Sequence, residues 1–318
     1  METTLGPGFT LEEPARIQRL NALYGELQRI TAATDREKER YGAAAESPEE
    51  ALCCAVDYDR QSLAHIPDRV LKVDYGCGDP TVYARRGMTV LDLGSGSGKH
   101  AFMIARAVGE GGQVIGIDKT PEMLALSRGA VDEVTQNLGL AAPTVEFRAG
   151  HIENLRVGLD RLHAWLGDHE IRGYDDLEAL EAYLDAEPLV ADESVDLVVS
   201  NCVLNLVADH RKEQLLRELF RVLRRSGSVA ISDIVCDREI PQAMKDDAEL
   251  WSGCLSGAWG RQDFLDAFAR AGFHGMTEVK ASFWKRVEGI NFFSVTIRAW
   301  KGKQGAGYET HRSALYRG

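Results

Sequence analysis

Asp92-Leu93-Gly94-Ser95-Gly96-Ser97-Gly98 follows the apolar run Thr89-Val90-Leu91, and Asp118 closes a second apolar run, Val114-Ile115-Gly116-Ile117, 24 positions beyond Gly94. This reads as a strand, a glycine-rich turn, a helix and a second strand ending on an acid. Glycine lacks a Cβ, so the turn can enter left-handed backbone conformations and let a ligand approach the chain closely. An acid about 20 residues further on, at the tip of the next strand, is placed to take ribose hydroxyls. A dinucleotide fingerprint requires G-x-G-x-x-G beside a pyrophosphate; here the spacing is G-x-G-x-G and Lys99 follows. The pattern points to a nucleoside ligand without a pyrophosphate.

Outward from this turn, strands are predicted at 89–93, 113–118, 144–149, 195–200 and 228–233, with helices at 99–108, 121–138 and 209–224. Apolar strands alternating with helices argue for a parallel sheet covered on both faces. Ligands of such sheets bind beyond the carboxyl ends of the strands. Ile17, Leu20, Leu23, Tyr24, Leu27 and Ile30 recur at helical spacing after Pro14 and predict an N-terminal helical arm. Residues 156–192 are too long for a plain connection, and Leu159, Leu162, Leu166, Leu177, Leu180 and Leu184 keep helical spacing, which predicts a helical insertion. A helix near 262–271 and alternating runs at 276–283 and 292–300 predict an antiparallel pair, either completing the sheet edge or forming a small C-terminal α+β subdomain. The chain is thereby divided into a helical arm and linker (1–70), a nucleoside-binding α/β domain (71–235), a C-terminal covering subdomain (236–300) and a flexible polar tail (301–318).

The chain has 318 residues, 37 of them basic and 49 acidic, for a formal net charge of −12. No basic block stands out, so neither nucleic acid nor an anionic membrane is expected as a partner. Met1-Glu2-Thr3-Thr4-Leu5-Gly6 has neither a basic start nor an apolar core. No run of about 18 apolar residues occurs, so a soluble, cytoplasmic protein is expected.

Six cysteines, at 53, 54, 77, 202, 236 and 254, are expected to be reduced thiols rather than a disulfide framework. Cys202 follows Ser200-Asn201 at the carboxyl end of the fourth predicted strand, facing the ligand crevice. Cys77 lies in the turn Tyr75-Gly76-Cys77-Gly78-Asp79-Pro80, and Cys254 in the small-residue turn Ser252-Gly253-Cys254-Leu255-Ser256-Gly257-Ala258. One such cysteine alone would ordinarily be a small buried hydrophobe. Structural zinc needs C-x₂₋₄-C pairs and four ligands, and no such pair is present. A three-thiolate site for a soft, thiophilic centre remains.

The glycines and paired acids resemble the S-adenosylmethionine site of class I methyltransferases. Tyr75-Gly76-Cys77-Gly78, Ser200-Asn201-Cys202-Val203-Leu204-Asn205-Leu206, Ser232-Asp233, Asp237-Arg238-Glu239-Ile240-Pro241 and Cys254-Leu255-Ser256-Gly257-Ala258 are similar to signature segments of the arsenite S-adenosylmethionine methyltransferase family, in order from about residue 53 to residue 300. The resemblance implies a Rossmann-like α/β class I methyltransferase sheet and methyl transfer from S-adenosylmethionine to trivalent arsenic, giving methylated arsenicals in arsenic detoxification. It implies that Cys77, Cys202 and Cys254 hold the arsenic as thiolates, and that Cys53 or Cys54 assists catalysis or thiol exchange. On the cofactor side it implies Asp92 near the amino acid end, Gly94, Gly96 and Gly98 in the turn, Asp118 on ribose, Met123 beside adenine, Ile152 and Glu153 at the adenine edge, and Asn201 near the methionine end. A thiol reductant, thioredoxin or glutathione, is the implied co-substrate and the only expected partner besides the metalloid. His100 and His151 are expected to be structural. Two rival expectations are a class I methyltransferase of a small organic acceptor, with incidental cysteines, and a non-catalytic thiol protein that binds metalloids. Departures from the family pattern are the long insertion, Cys236, and Trp259-Gly260-Arg261 in place of a more aromatic segment.

Overall fold

Eight strands form one sheet: β1 (Thr89–Leu93), β2 (Gln113–Asp118), β3 (Val145–Ala149), β4 (Val195–Asn201), β5 (Leu223–Cys236), β6 (Trp259–Gly260), β7 (Phe273–Val287) and β8 (Ile290–Lys301). The structure, a computed structural model, describes residues 58–73 and 76–302 together with Arg40 and Gly42. The predicted N-terminal helix, Cys53, Cys54 and the chain beyond Gly302 lie outside the described residues. The strand order is β3-β2-β1-β4-β5-β8-β7, with β6 pairing the far end of β5. Strands β1 to β5 run parallel, and β8 and β7 are antiparallel additions. The order reverses at β1, so the crevice for a ligand opens between the carboxyl ends of β1 and β4.

Alternation along each strand explains why both faces are covered. Leu91, Leu93, Ile115, Ile117, Val198, Val229 and Ile231 point to one face and share a core with Leu215, Leu216, Leu219, Phe264 and Phe268. Val90, Val114, Leu197, Val199 and Ala230 point to the other and pack on Phe102, Ile104, Ala105 and Val108. Each fully buried Leu, Ile or Phe contributes roughly 1.5–3 kcal/mol. The covering helices are α1 (Lys99–Val108), α2 (Pro121–Arg128), α3 (Val131–Asn137), α4 (Leu159–Asp168), α5 (Tyr174–Ala186), α6 (Asp209–Val222) and α7 (Arg261–Arg270). The single helix predicted for 121–138 is two: the Gly129 and Ala130 amides turn back onto Ala125 and Ser127, ending α2 before α3 begins. Gly129 itself keeps right-handed backbone, with φ of −69°.

The insertion is the hairpin α4–α5, which buries Trp165 and Leu184, while Leu166 and Leu177, two of the leucines at helical spacing, are exposed. Of the two placements open for the C-terminal strand pair, the sheet edge is realised, since β8 pairs with β5 along nine residue pairs. Lys301, predicted to begin a frayed tail, is instead buried in β8, its ammonium donating to the Leu223 carbonyl (2.7 Å) and facing Glu193 (3.2 Å). Among the described residues no helix is long and apolar enough to cross a membrane.

Candidate active site

The turn after β1 is built on left-handed backbone, with φ of 63° at Gly94, 51° at Gly96 and 94° at Gly98. A Cβ at Gly94 would meet Val203 at 2.4 Å, and one at Gly98 would meet Phe147 at 2.7 Å and Phe102 at 2.9 Å. At Gly96 a Cβ would meet nothing within 4 Å, so this backbone faces open space that a ligand can enter. The turn is fixed by hydrogen bonds from the Ser95 amide to the Ile117 carbonyl (2.9 Å) and from the Gly98 amide to the Ser95 carbonyl (2.8 Å), which leads straight into α1. Asp118 accepts from the Gly96 amide (2.8 Å) through one carboxylate oxygen and from the Thr120 amide (2.8 Å) through the other. Asp92 is buried at the end of β1, Met123 is buried in the first turn of α2, and Ile152 is buried just after β3. Beside Ile152, Glu153 faces Arg211 (3.4 Å) and His151 (3.6 Å). Burial would raise the Glu153 carboxyl, but its hydrogen bonds to His151 and to its own amide, with the charges of His151 and Lys119, bring it down to about 2.

Three of the cysteines meet just beyond the carboxyl end of β4. Cys77 and Cys202, 125 residues apart in sequence, are joined in a disulfide with their Cα atoms 6.0 Å apart. The Cys254 thiol donates to the Cys202 carbonyl at 3.2 Å. The expectation of reduced thiols is corrected for this pair. Their α-carbons stand at a spacing that a disulfide spans without backbone movement. In this oxidised state no group of three or more His, Cys, Asp or Glu side chains among the described residues could hold a metal ion. The fourth described cysteine, Cys236, is buried, its thiol pushed up to about 11 by burial and donating to the Trp259 carbonyl (3.3 Å).

Asn201 fastens the Cys77 turn to the rest of the site. Its Oδ1 accepts from the amides of Cys77 (2.8 Å) and Gly78 (3.2 Å), while its Nδ2 donates to the Gly78 carbonyl (2.6 Å) and to His100 Nε2 (3.0 Å). Both lone-pair positions and both N–H groups, expected at the methionine end of a cofactor, are engaged within the protein. His100 is buried at the start of α1 and its pKa lies well below the ordinary value, first because of burial and then because of Lys99. It is therefore neutral, with Nε2 the acceptor for Asn201. The Tyr58 hydroxyl lies 3.1 Å from both the Gly78 carbonyl and His100 Nε2. From the sheet side, the Ser294 hydroxyl donates to the Cys77 carbonyl, and Ser232 and Thr296, bonded to each other at 2.8 Å, fill the space that a Cβ at Gly78 would occupy. Tyr58, Ser294 and Thr296 carry no motif signal, and Ser232 stands only within a signature segment; His100 could have been singled out by its place next to the turn, but its partner lies 101 positions away.

Residues 84–164 and 168–272 match the family described as methyltransferase domain. Over 252 residues the chain is 32% identical to an arsenite methyltransferase of Mus musculus, covering 77% of this chain and 58% of that protein. It is 33% identical to an arsenite methyltransferase of Aquipseudomonas alcaligenes, covering 80% of this chain and 67% of that protein. The crystal structure of an arsenic (III) S-adenosylmethionine methyltransferase from Chlamydomonas reinhardtii superposes with a TM-score of 0.62 at 31% identity, covering 80% of this chain and 75% of that one. The chain thus spans less than two thirds of the length of the mouse relative.

Proposed function

Because the chain belongs to the arsenite S-adenosylmethionine methyltransferase family, we propose that it methylates trivalent arsenic held by Cys77, Cys202 and Cys254. The observation that carries the reading is the contact of these cysteines at the carboxyl end of β4, next to the glycine turn. The turn suits the cofactor: Gly96, where a Cβ would meet nothing within 4 Å, leaves backbone that a ligand can approach, and on this reading Asp92 lies near the amino acid end, Asp118 takes the ribose, and Met123, Ile152 and Glu153 lie near the adenine. S-adenosylmethionine supplies a methyl group on a sulfonium, open to in-line displacement by a lone pair.

The task of the protein is then positioning. Arsenite, As(OH)₃, exchanges its hydroxyls for three cysteine thiols and releases three waters, which leaves the arsenic lone pair free. A lone pair needs no general base, so no histidine or aspartate is required to remove a proton, and holding the reactants in a near-attack arrangement is what accelerates the step. The disulfide between Cys77 and Cys202 must first be opened: two thiols of a reductant such as thioredoxin or glutathione are oxidised to a disulfide as the two site thiols are restored. Forming As–CH₃ takes arsenic formally from three to five, and oxidation of two thiols to a disulfide returns the two electrons. Cys53 or Cys54 is the further thiol proposed for that exchange, residues 236–300 carry Cys254 over the acceptor, and the cytoplasm is the compartment whose reductants keep the thiols open.

Incubation of the reduced chain with arsenite, S-adenosylmethionine and a thiol, followed by arsenic speciation, tests the reading. Methylated arsenicals are expected, and Cys202→Ser should abolish them. Absence of methylated arsenic with retained S-adenosylhomocysteine binding would shift the reading to a small organic acceptor.

A further inference from the structure

Cys202 and Cys254 both hold left-handed backbone, with φ of 58° and 61°. Residues with a Cβ keep such conformations only where their surroundings over-determine them. Besides the disulfide and the bond from the Cys254 thiol to the Cys202 carbonyl, the two turns are held by a buried network of backbone and side-chain hydrogen bonds. Asp233, at the end of β5, accepts from the amides of Ile234 (2.8 Å) and Leu204 (2.9 Å), and the Asn205 amide donates to it as well, so it anchors the turn that follows Cys202. The Asn205 side chain, buried, donates through Nδ2 to the Ile234 carbonyl (2.7 Å) and to the Cys254 carbonyl (3.3 Å). It thereby ties the Cys202 turn to the Cys254 turn. A Cβ at Gly257 would stand 1.9 Å from the Asn205 carbonyl oxygen, so only glycine lets the two turns meet at this separation. Lys212, also buried, secures that glycine by donating to its carbonyl at 2.7 Å while pairing with Asp209 at 2.7 Å.

We propose that Asn205, anchored by Asp233 and by Lys212 through Gly257, is a positioning residue that sets the spacing of Cys202 and Cys254 and so the affinity for trivalent arsenic, independently of the cofactor turn. This rests on the reading that these two cysteines are arsenic ligands. The reduced full chain is titrated with a trivalent phenylarsenical, which engages two thiols, and separately with S-adenosylhomocysteine. Asn205→Leu removes both Nδ2 donors and strands two carbonyls, so the phenylarsenical should bind about tenfold more weakly or worse while S-adenosylhomocysteine binding stays within about twofold. In turnover the same variant should raise KM for arsenite and leave KM for S-adenosylmethionine unchanged. Should Asn205→Leu not fold, Lys212→Met, which keeps the aliphatic stem but releases Gly257, carries the same two criteria. If the wild-type chain binds the phenylarsenical and the variants bind it equally well, the inference fails and the cysteine reading stands. Equal loss of both ligands also overturns it, because the network would then only maintain the fold. If the wild-type chain itself binds no phenylarsenical, the cysteine reading falls and takes the inference with it.

Discussion

The two sides of the crevice are made in opposite ways. The proposed cofactor side is a continuous piece of chain, residues 92–118, in which glycines and one acid fix a turn through bonds of short sequence range, such as Gly96 to Asp118. The proposed acceptor side is assembled from turns at 77, 202 and 254, held by bonds that span 124 residues from Cys77 to Asn201 and 217 from Ser294 to Cys77. Their acids differ too: half-buried Glu153, on the proposed cofactor side, is held down to about 2, whereas burial pushes Asp233, on the proposed acceptor side, up to about 7 against the pull of its amide donors and Lys212. A locally encoded half can be damaged by one residue and leave the other half intact. A half built from distant turns shares its supports, and its members should fail together.

The sharpest break is expected from Cys202→Ser. Loss of one ligand misplaces the acceptor atom, so arsenite methylation should fall at least about a hundredfold while S-adenosylhomocysteine still binds. Asn201→Ala comes next, because it leaves the Cys77 and Gly78 amides unpaired, a cost of roughly 1–3 kcal/mol. As Asn201 also contacts His100 on α1, titration of both ligands should show weaker binding of each, with the arsenical more affected. Gly98→Ala should do the converse. Left-handed backbone costs a residue with a Cβ roughly 1–2 kcal/mol, and the clash with Phe147 and Phe102 adds to it, so S-adenosylhomocysteine should bind about tenfold more weakly while arsenical binding holds. Equal losses on both sides in the Gly98 variant would erase the distinction between the halves.

The smallest effects are in pH. A carboxyl lowered from 4.5 to about 2 stabilises the fold above pH 4.5 and loses that contribution as pH falls toward 2. One raised from 3.8 to about 7 favours the fold below pH 3.8 and loses that contribution as pH rises through 7. Thermal melts should therefore show Glu153→Gln flattening the acid limb and Asp233→Asn flattening the limb between pH 4 and about 8. Parallel shifts of both limbs in either variant would count against the two environments being distinct.

This division also governs what could be read from the chain. Strands β1 and β2, helix α1 and the glycine turn follow from periodicity and glycine spacing, because their determinants are neighbours in sequence. The hairpin α4–α5 was legible as helix from its leucines, but not which leucines bury, since Leu166 and Leu177 depend on what the hairpin packs against. The cysteine positions carried a chemical signal at each turn. Their supports did not: a serine at 294 or a tyrosine at 58 has no local pattern that distinguishes it from a surface polar residue, and its meaning appears only when β8 reaches β5 and the Cys77 turn folds against them. The bond between Cys77 and Cys202 was unreadable for the same reason, since neither the spacing nor the composition brings those α-carbons to 6.0 Å.

The most direct measurement is X-ray absorption at the arsenic edge on the reduced chain loaded with one equivalent of arsenite. Three sulfur neighbours and no oxygen are predicted, falling to two sulfurs when Cys77, Cys202 or Cys254 is replaced by serine. An arsenic atom that keeps its oxygens in the wild-type chain, or a sulfur count unchanged by those replacements, would contradict the three-cysteine acceptor.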